Sequence, residues 1–304
     1  MFDPVATLQL IVSGLAIGSI YSLVALGFIL IYNAVGVVNF AQGDFVMLPS
    51  YIAISFVLPS ILVFGSVMHW QLPLVLAYVV VLVLMAAFGL LFNRIAYYPL
   101  RDRGWLPVVI STIGVSIFLR NLAQLVWGSQ PLVFPSLFSV DTLSIGQLHF
   151  RPQDVLILVV AAILIVFQYG LFEWTSLGKQ MRATAQDRTT AQLLGIRVDR
   201  IVAITFVYSV LLGAAAGLLV SPIFTVTKDM GGLIALKAFA ASIVGGFGSI
   251  PGAIAGGLLI GVVEALGGYY TDPAYKDAIA FVILIAVLLL RPSGLFGERV
   301  AEKA

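Results

Sequence analysis

The sequence predicts an all-α polytopic membrane protein with seven to nine membrane segments, some of them broken or re-entrant. Three observations carry that expectation. Of 304 residues, 61% are hydrophobic and only 10% are charged, against roughly a quarter charged in soluble domains. Mean hydropathy is +1.10. Apolar runs of the length a bilayer requires, about 20 residues each, recur along the whole chain with short polar gaps. A soluble globule would need far more polar surface, and disorder needs low hydrophobicity with high net charge. Runs and gaps together use up the length, so residues 1–304 read as a single transmembrane domain.

The runs fall at about 8–31, 44–67, 72–96, 107–127, 153–173, 201–222 and 276–291, with a further pair at about 234–247 and 252–268. The N-terminus lacks the basic region of a cleaved signal peptide, so the first run is expected to stay as a spanning helix. Three gaps hold 11 of the 16 basic residues: Arg94–Trp105, Trp174–Arg200 and the end from Arg291 through Arg299 and Lys303. The positive-inside rule puts these in the cytoplasm. The gaps His69–Gln71, Gly128–Pro152, Thr225–Gly232 and Gly268–Tyr275 then lie outside, giving an outer N-terminus and a cytoplasmic C-terminus. No Lys or Arg precedes Arg94, so the rule counts nothing before it.

Two interruptions stand out. NAVGVVNFAQGD (Asn33–Asp44) separates the first two runs, and GGFGSIPG (Gly245–Gly252) follows the run at 234–247. That run has about 13 residues, ~20 Å of helix, short of the ~30 Å hydrocarbon core. Irregular backbone at membrane depth must be buried in protein or line a cavity. Paired Gly-rich interruptions are the usual sequence pointer to a transport pathway; the alternative is two ordinary interhelical turns. Asn39, Gln42 and Asp44 in the first break, and Gly245, Gly246, Gly248 and Ser249 in the second, are the candidate pathway residues. Asn39 and Gln42 can hydrogen-bond freed backbone groups or a zwitterion without the desolvation cost of a charge.

Few charges fall inside the runs. Asp44 suits either an N-cap of the helix after it or substrate contact. Arg120 either snorkels outward or pairs inside the bundle, and buried pairing is the reading taken. Lys237 either snorkels or pairs with Glu264 across the 234–268 hairpin. GxxxG-like spacings at Gly14–Gly18, Gly213–Gly217, Gly252–Gly256 and Gly257–Gly261 permit close helix approach, within the chain or against a second membrane subunit.

Leu177–Ile201 is the longest polar stretch and the most basic. Ala183, Ala191, Leu194 and Ile201 recur at near-helical spacing, with Met181 and Leu193 close by, and Gly195 is placed to end a helix. A short amphipathic helix or helix pair is expected, too long for a bare connector, as a docking element for a soluble partner. No engine is visible in the chain itself. The only Gly-Lys pair, Gly178-Lys179, is followed by Gln180, so no phosphate-cradling loop exists. G-x-S-x-G does not occur around Ser249, nor does H-E-x-x-H anywhere. His69 and His149 sit in outer loops and read as solvated. Cysteine is absent, which removes disulfides and thiol chemistry, and a net charge of +2 gives no footprint for nucleic acid. No metal site, cofactor or enzymatic activity is expected of this chain.

The strings GLAIGSIYSLVALGFILIYNAVGVVNFAQGDF, RATAQDRTTAQLLGIRVDRIVAITF, LKAFAASIVGGFGSIPGAIAGGLLIGVVEAL and YKDAIAFVILIAVLLLRPSGLFG resemble the membrane permeases of high-affinity branched-chain amino-acid importers, the Liv-type ABC systems. The resemblance covers essentially the whole chain. One departure is visible: many members have His-Gly-Glu where this chain has Gln42-Gly43-Asp44, which keeps the acid but removes a titratable imidazole. The resemblance implies an importer permease fold in a bacterial cytoplasmic membrane. It also implies a second, related permease subunit, two cytoplasmic ATPases that use the ATP, and an extracytoplasmic substrate-binding protein. The resemblance makes Thr184–Arg197, within the coupling loop at about 177–201, the coupling helix seated in a groove of one ATPase, with Arg182, Thr184, Asp187, Gln192, Gly195 and Arg197 as the candidate coupling residues. The family's substrates include branched-chain amino acids, and relatives with the same signatures move urea, amides or aromatic acids. A stand-alone secondary carrier is the competing class; an intramembrane enzyme fares worst, lacking any nucleophile–base or metal constellation.

Overall fold

The computed structural model describes residues 4–58, 60–68, 71–135, 138, 142–145 and 148–296. His69, Arg299 and Lys303 lie outside them. Helix α1 (Pro4–Val35) is followed by a one-turn 3₁₀ segment (Phe40–Gly43), which leads directly into α2 (Asp44–Val57). A hairpin of β1 (Ile61–Val63) and β2 (Ser66–Met68) precedes α3 (Leu74–Phe92), which ends in a π turn (Asn93–Tyr97) and a 3₁₀ turn (Tyr98–Leu100). Next come α4 (Trp105–Trp127), a second hairpin of β3 (Leu143–Ile145) and β4 (Leu148–Phe150), and α5 (Pro152–Trp174). The short helices α6 (Ser176–Gln186) and α7 (Arg188–Leu193) lead to α8 (Val198–Val220). The chain closes with α9 (Met230–Gly245), α10 (Ile250–Tyr270), a 3₁₀ turn (Pro273–Tyr275) and α11 (Lys276–Leu290). Among the described residues, eight helical stretches are long and apolar enough to cross a membrane, and α9 is shorter.

Most of the expected runs become helices within a few residues of their sequence limits. The run at 44–67 does not: α2 stops at Val57, and residues 61–68 turn back as the first hairpin. Leu58 is extended (φ −73°, ψ 137°), the conformation that a following proline imposes. Phe64 and Gly65 both have positive φ (51° and 73°), the turn that matches the twist of a two-residue hairpin. His149 is exposed on β4, as its solvated reading requires.

The chain divides into two compact units, 1–29 with 138–163 and 235–304, and 30–137 with 164–234. In the second, α2, α3 and α8 pack on one another. Small residues permit this: a Cβ on Gly213 would sit 2.8 Å from the Phe45 Cβ, and one on Gly89 would sit 2.9 Å from the Val207 Cα. Phe45 meets Phe92 edge-on, ring centroids 5.1 Å apart, and Phe92 lies 5.8 Å from Phe206. Tyr51 stacks on Trp127 at 5.0 Å, while the Trp127 indole N–H donates to Ser55 Oγ at 2.6 Å.

In the first unit, Gly14 and Gly18 of α1 face Gly257 and Gly261 of α10 so closely that a Cβ on Gly18 would lie 2.8 Å from the Gly257 carbonyl oxygen. Ser22 Oγ donates to the carbonyls of Gly18 and Ile254, both at 2.9 Å. The GxxxG-like spacings are thus occupied by helix contacts within the chain. Lys237 of α9 is buried and donates to Glu264 of α10 at 2.8 Å and to Asp277 of α11 at 2.6 Å. Tyr21 of α1 donates to the other Glu264 oxygen at 2.9 Å. The expected Lys237–Glu264 pairing is present, enlarged to a five-residue network that Lys276 joins at 3.7 Å from Glu264.

Burial separates inner from outer helices. The most apolar stretch of α1 is 89% buried, whereas those of α3, α4 and α5 are 22–28% buried. Apolar, unburied helix faces of that extent suit hydrocarbon, not water.

The α1–α10 seam gives a direct test. Gly261→Leu must push the two backbones apart, and overpacking of a tight contact costs about 1–3 kcal/mol. Gly114 of α4 has open space where a Cβ would go, so Gly114→Leu is the matched control. Thermal unfolding in detergent is expected to show a lower midpoint for the first and no loss for the second.

Candidate functional site

The first break begins where α1 runs out. Gly36 takes φ +71°, the left-handed position that commonly ends a helix, and its N–H still reaches the Tyr32 carbonyl at 2.7 Å. The chain then runs to Asn39 (φ −92°, ψ 105°), whose side-chain oxygen accepts from Ala41 N–H at 3.1 Å and caps the 3₁₀ turn. The Phe40 N–H donates to Thr112 Oγ1 of α4 at 3.2 Å. Gln42 accepts from Ser209 Oγ of α8 at 3.1 Å. Asn39 and Gln42 are buried, and their amide nitrogens have no hydrogen-bond partner among the described residues. The break thus pairs one backbone N–H with a hydroxyl of α4 and others within the turn, and two buried NH₂ groups have no partner among the described residues.

Asp44 does not cap α2. The cap position belongs to Gly43, and Asp44 is the first helical residue. Its Oδ1 pairs with Arg120 Nε of α4 at 3.2 Å. Arg120 thus makes the in-bundle pairing expected of it, with the acid of the break. The reason is proximity: the 3₁₀ turn brings the start of α2 against α4, where each charge is the other's best alternative to water. Gly231 at the start of α9 lies against the Gly43 carbonyl with no room for a side chain.

The second break has a different character. Gly246 and Gly248 have φ +110° and +99°, and Ser249 caps α10 by accepting from Gly252 N–H at 3.2 Å. Gly245 and Gly252 press backbone to backbone. The segment after α11 covers the end of α9: Leu295 N–H donates to the Val244 carbonyl at 2.9 Å and Phe296 N–H to that of Gly245 at 2.8 Å. Locally this is a tight interhelical turn, closed by backbone. The seven pathway candidates thus fall into two separate groups, Asn39, Gln42 and Asp44 in one unit and Gly245, Gly246, Gly248 and Ser249 in the other.

The polar loop forms two helices at a sharp corner. Thr175 caps α6, accepting from Gly178 N–H at 3.1 Å. Gly178 lies against the carbonyls of Leu171 and Phe172, which folds α6 back on the end of α5. Asp187 ends α6 and caps α7, accepting from Thr189 N–H at 2.8 Å and Thr190 N–H at 3.2 Å. The Thr190 hydroxyl and these N–H groups hold its carboxyl below the usual range. The folded value is depressed, so the cap's contribution is present above the ordinary carboxylate range and is lost only as pH falls through the lowered value. Gly195 ends the pair at φ +81°. Of the other coupling candidates, Arg182 pairs with Glu173 at 2.6 Å, Thr184 is buried, and Gln192 and Arg197 are exposed.

Two features of the loop depart from the sequence reading. Leu193 and Leu194 do not join its apolar face; they are 84% and 74% exposed, because α7 stops at Leu193 and the turn into Gly195 points them outward. Arg188, counted in the sequence only as a positive charge, reaches inward to the Ala34 carbonyl and Tyr97. Ser209, the partner of Gln42, is one of three hydroxyl residues in α8, with Thr205 and Tyr208, and nothing local in the sequence distinguishes it.

Arg120→Met leaves Asp44 buried and unpaired. Arg120 is about one-third exposed, so the lower end of the range for breaking a buried pair applies, about 3 kcal/mol. The expected result is a clearly lowered unfolding midpoint in detergent, with most of the loss recovered in the double variant Asp44→Asn/Arg120→Met.

Comparison with known proteins agrees with this architecture. A family model described as branched-chain amino acid transport system / permease component matches residues 10–288. The chain is 39% identical to the high-affinity branched-chain amino acid transport system permease protein BraD of Pseudomonas aeruginosa, over 97% of each chain. It is 36% identical to the corresponding permease protein LivH of Escherichia coli strain K12 and 35% to that of Salmonella typhimurium, again over 97% of each. No solved structure matches. These matches, over nearly the whole length, place the chain in the branched-chain amino acid transport permease family.

Proposed function

We propose that this chain is the membrane-spanning subunit of an ATP-driven importer for branched-chain or related amino acids. It forms half of the translocation pathway and couples to a cytoplasmic ATPase through α6–α7. Its membrane is the bacterial cytoplasmic membrane, with the C-terminus on the inner side. A second related permease, two ATPase subunits and an extracytoplasmic binding protein complete the system. ATP is used by the partners, since no phosphate-cradling loop exists in this chain.

The observation that carries the proposal is the α6–α7 corner. It is built as a rigid body, capped at both helix starts and closed by a left-handed glycine. It also presents two exposed leucines between two spans whose polar gap is the most basic in the chain. An inert connector needs neither the caps nor the apolar tip. Similarity to permeases named for branched-chain amino acid transport supports the substrate class. In the first break, the unpartnered NH₂ groups of Asn39 and Gln42 are suited to the carboxylate of a passing zwitterion.

Reconstitution tests this reading. Proteoliposomes holding the full set of subunits are expected to take up leucine with its binding protein only when ATP is enclosed. The permease alone is expected to show no uptake under an ion or solute gradient. Asp187→Ala is expected to cut ATP-driven uptake several-fold with membrane abundance unchanged. Gradient-driven uptake by the isolated chain would identify a secondary carrier instead.

A further inference from the structure

The contacts of Arg188 point to a role beyond docking, and the inference rests on reading α6–α7 as the ATPase-coupling element. Arg188 is the first residue of α7, directly after the Asp187 cap. Its guanidinium turns away from the exposed tip. Nε and Nη2 donate to the Ala34 carbonyl at 3.1 and 2.7 Å, and Nη2 also donates to Tyr97 Oη at 2.8 Å. No carboxylate lies within ion-pair distance of it among the described residues.

Each acceptor sits at a mechanically informative place. Ala34 belongs to the last turn of α1, where carbonyls lack intrahelical donors and carry the negative end of the helix dipole. Two residues later Gly36 begins the first break. Tyr97 closes the π turn that ends α3, an irregularity that recurs at functional sites. Tyr97 is buried and packs on Phe206 at 5.3 Å. Phe206 packs on Phe92, and Phe92 on Phe45, the residue after Asp44. Two continuous routes therefore run from one guanidinium to the Asn39–Asp44 segment: along the backbone out of α1, and through a file of rings to the start of α2.

We propose that Arg188 is a positioning residue for transport, transmitting displacement of α6–α7 to the first helix break. The chemistry of the link suits repeated use. A guanidinium offers several donors in a fixed fork, so it can hold a carbonyl and a hydroxyl at once, which an ammonium at the end of a flexible stem does less well. Its acceptors are neutral, so letting go leaves no stranded buried carboxylate. A link of this kind can break and re-form, whereas the Asp44–Arg120 pair is costly to separate.

The test uses the assembled transporter with its ATPase subunits and binding protein. The variants are Arg188→Ala, Arg188→Lys and Tyr97→Phe. Each is also made together with Gln42→Cys, whose thiol is the only one in this chain. Arg188→Ala is expected to co-purify with the ATPases and to hydrolyse ATP near the parental rate. Uptake is expected to fall by about ten-fold or more, the scale of a lost hydrogen bond to a charged group. Nucleotide is expected to alter thiol labelling at position 42 in the parent and to stop doing so in Arg188→Ala. Arg188→Lys and Tyr97→Phe, which keep the charge or the ring, are expected to fall between. Unchanged uptake in Arg188→Ala overturns the proposal. So does uptake lost in proportion to ATPase co-purification, which would make Arg188 part of the docking surface only. Should Arg188→Ala fail to accumulate, Tyr97→Phe decides: parental coupling of hydrolysis to uptake and parental labelling overturn the link. A parental assembly that takes up solute without ATP, or never retains the ATPases, would instead mark failure of the underlying coupling reading.

Discussion

Hydrocarbon supplies no hydrogen bonds, and that constraint organises this molecule. A helix interrupted at membrane depth must find partners for its freed N–H and C=O groups inside the protein. The two interruptions solve the problem in different ways. At Gly245–Gly252 the backbone answers itself: a serine cap, two left-handed glycines and the segment after α11 take up the open ends. At Gly36–Asp44 backbone bonds persist from Gly36 to Tyr32 and from Gln42 to Asn39, the Asn39 side chain caps the turn, and one N–H, that of Phe40, goes to Thr112 of another helix, while Ser209 holds the Gln42 side chain. A turn closed by its own backbone is fixed in composition. A turn held in part by rotatable hydroxyls and amides can exchange partners, and two of its NH₂ groups have none among the described residues.

The same reasoning governs the charges. Asp44 with Arg120, and Lys237 with Glu264 and Asp277, are ion pairs within or beside spans of very low charge. Such pairs add little net stability compared with apolar replacements, yet losing one partner is expensive. Their effect is to specify which helices meet. Asp44–Arg120 ties the start of α2 to α4, and the lysine network ties α9, α10 and α11, with Tyr21 bringing in α1. Packing supplies the rest: glycines let α1 meet α10 and let α2 meet α8 at distances no side chain would allow.

Much of this was legible in the sequence because it depends on local pattern. Run length and hydropathy located nearly all the helices, Gly marked both breaks with Pro251 added in the second, and Gly195 marked the end of the polar loop. The resemblance to Liv-type permeases agrees with the family match over residues 10–288. What escaped depends on three-dimensional neighbours. Pattern allowed Asp44 to cap α2, but the 3₁₀ turn carries it to Arg120 instead. The run 44–67 looked continuous because its hairpin residues are as apolar as the helix before them. Leu193 and Leu194 fit a helical apolar face by spacing, yet α7 ends too soon to bury them. Arg188 gave no local signal at all, since its partners are a backbone carbonyl 154 positions away and a tyrosine 91 positions away.

The strength of contacts follows a gradient that bears on how such a subunit can move. Where hydrocarbon surrounds the helices, separation is resisted by buried ion pairs and glycine seams. Around α6 and α7, Met181 and Ala191 are buried and both helices pack on α8, while the polar ties are a solvent-exposed pair between Arg182 and Glu173 and Arg188 on neutral acceptors. Exposed pairs contribute little and are screened by salt. Besides the packing of α6 and α7 on α8, Arg188 links the α7 start to the end of α1 and the π turn of α3. What lies next along both routes is the Gly36–Asp44 interruption, where one backbone N–H is held by a side chain of another helix. A chain with no phosphate-binding loop of its own thus places its most exchangeable polar contacts in line between its exposed apolar tip and its most adaptable helix break.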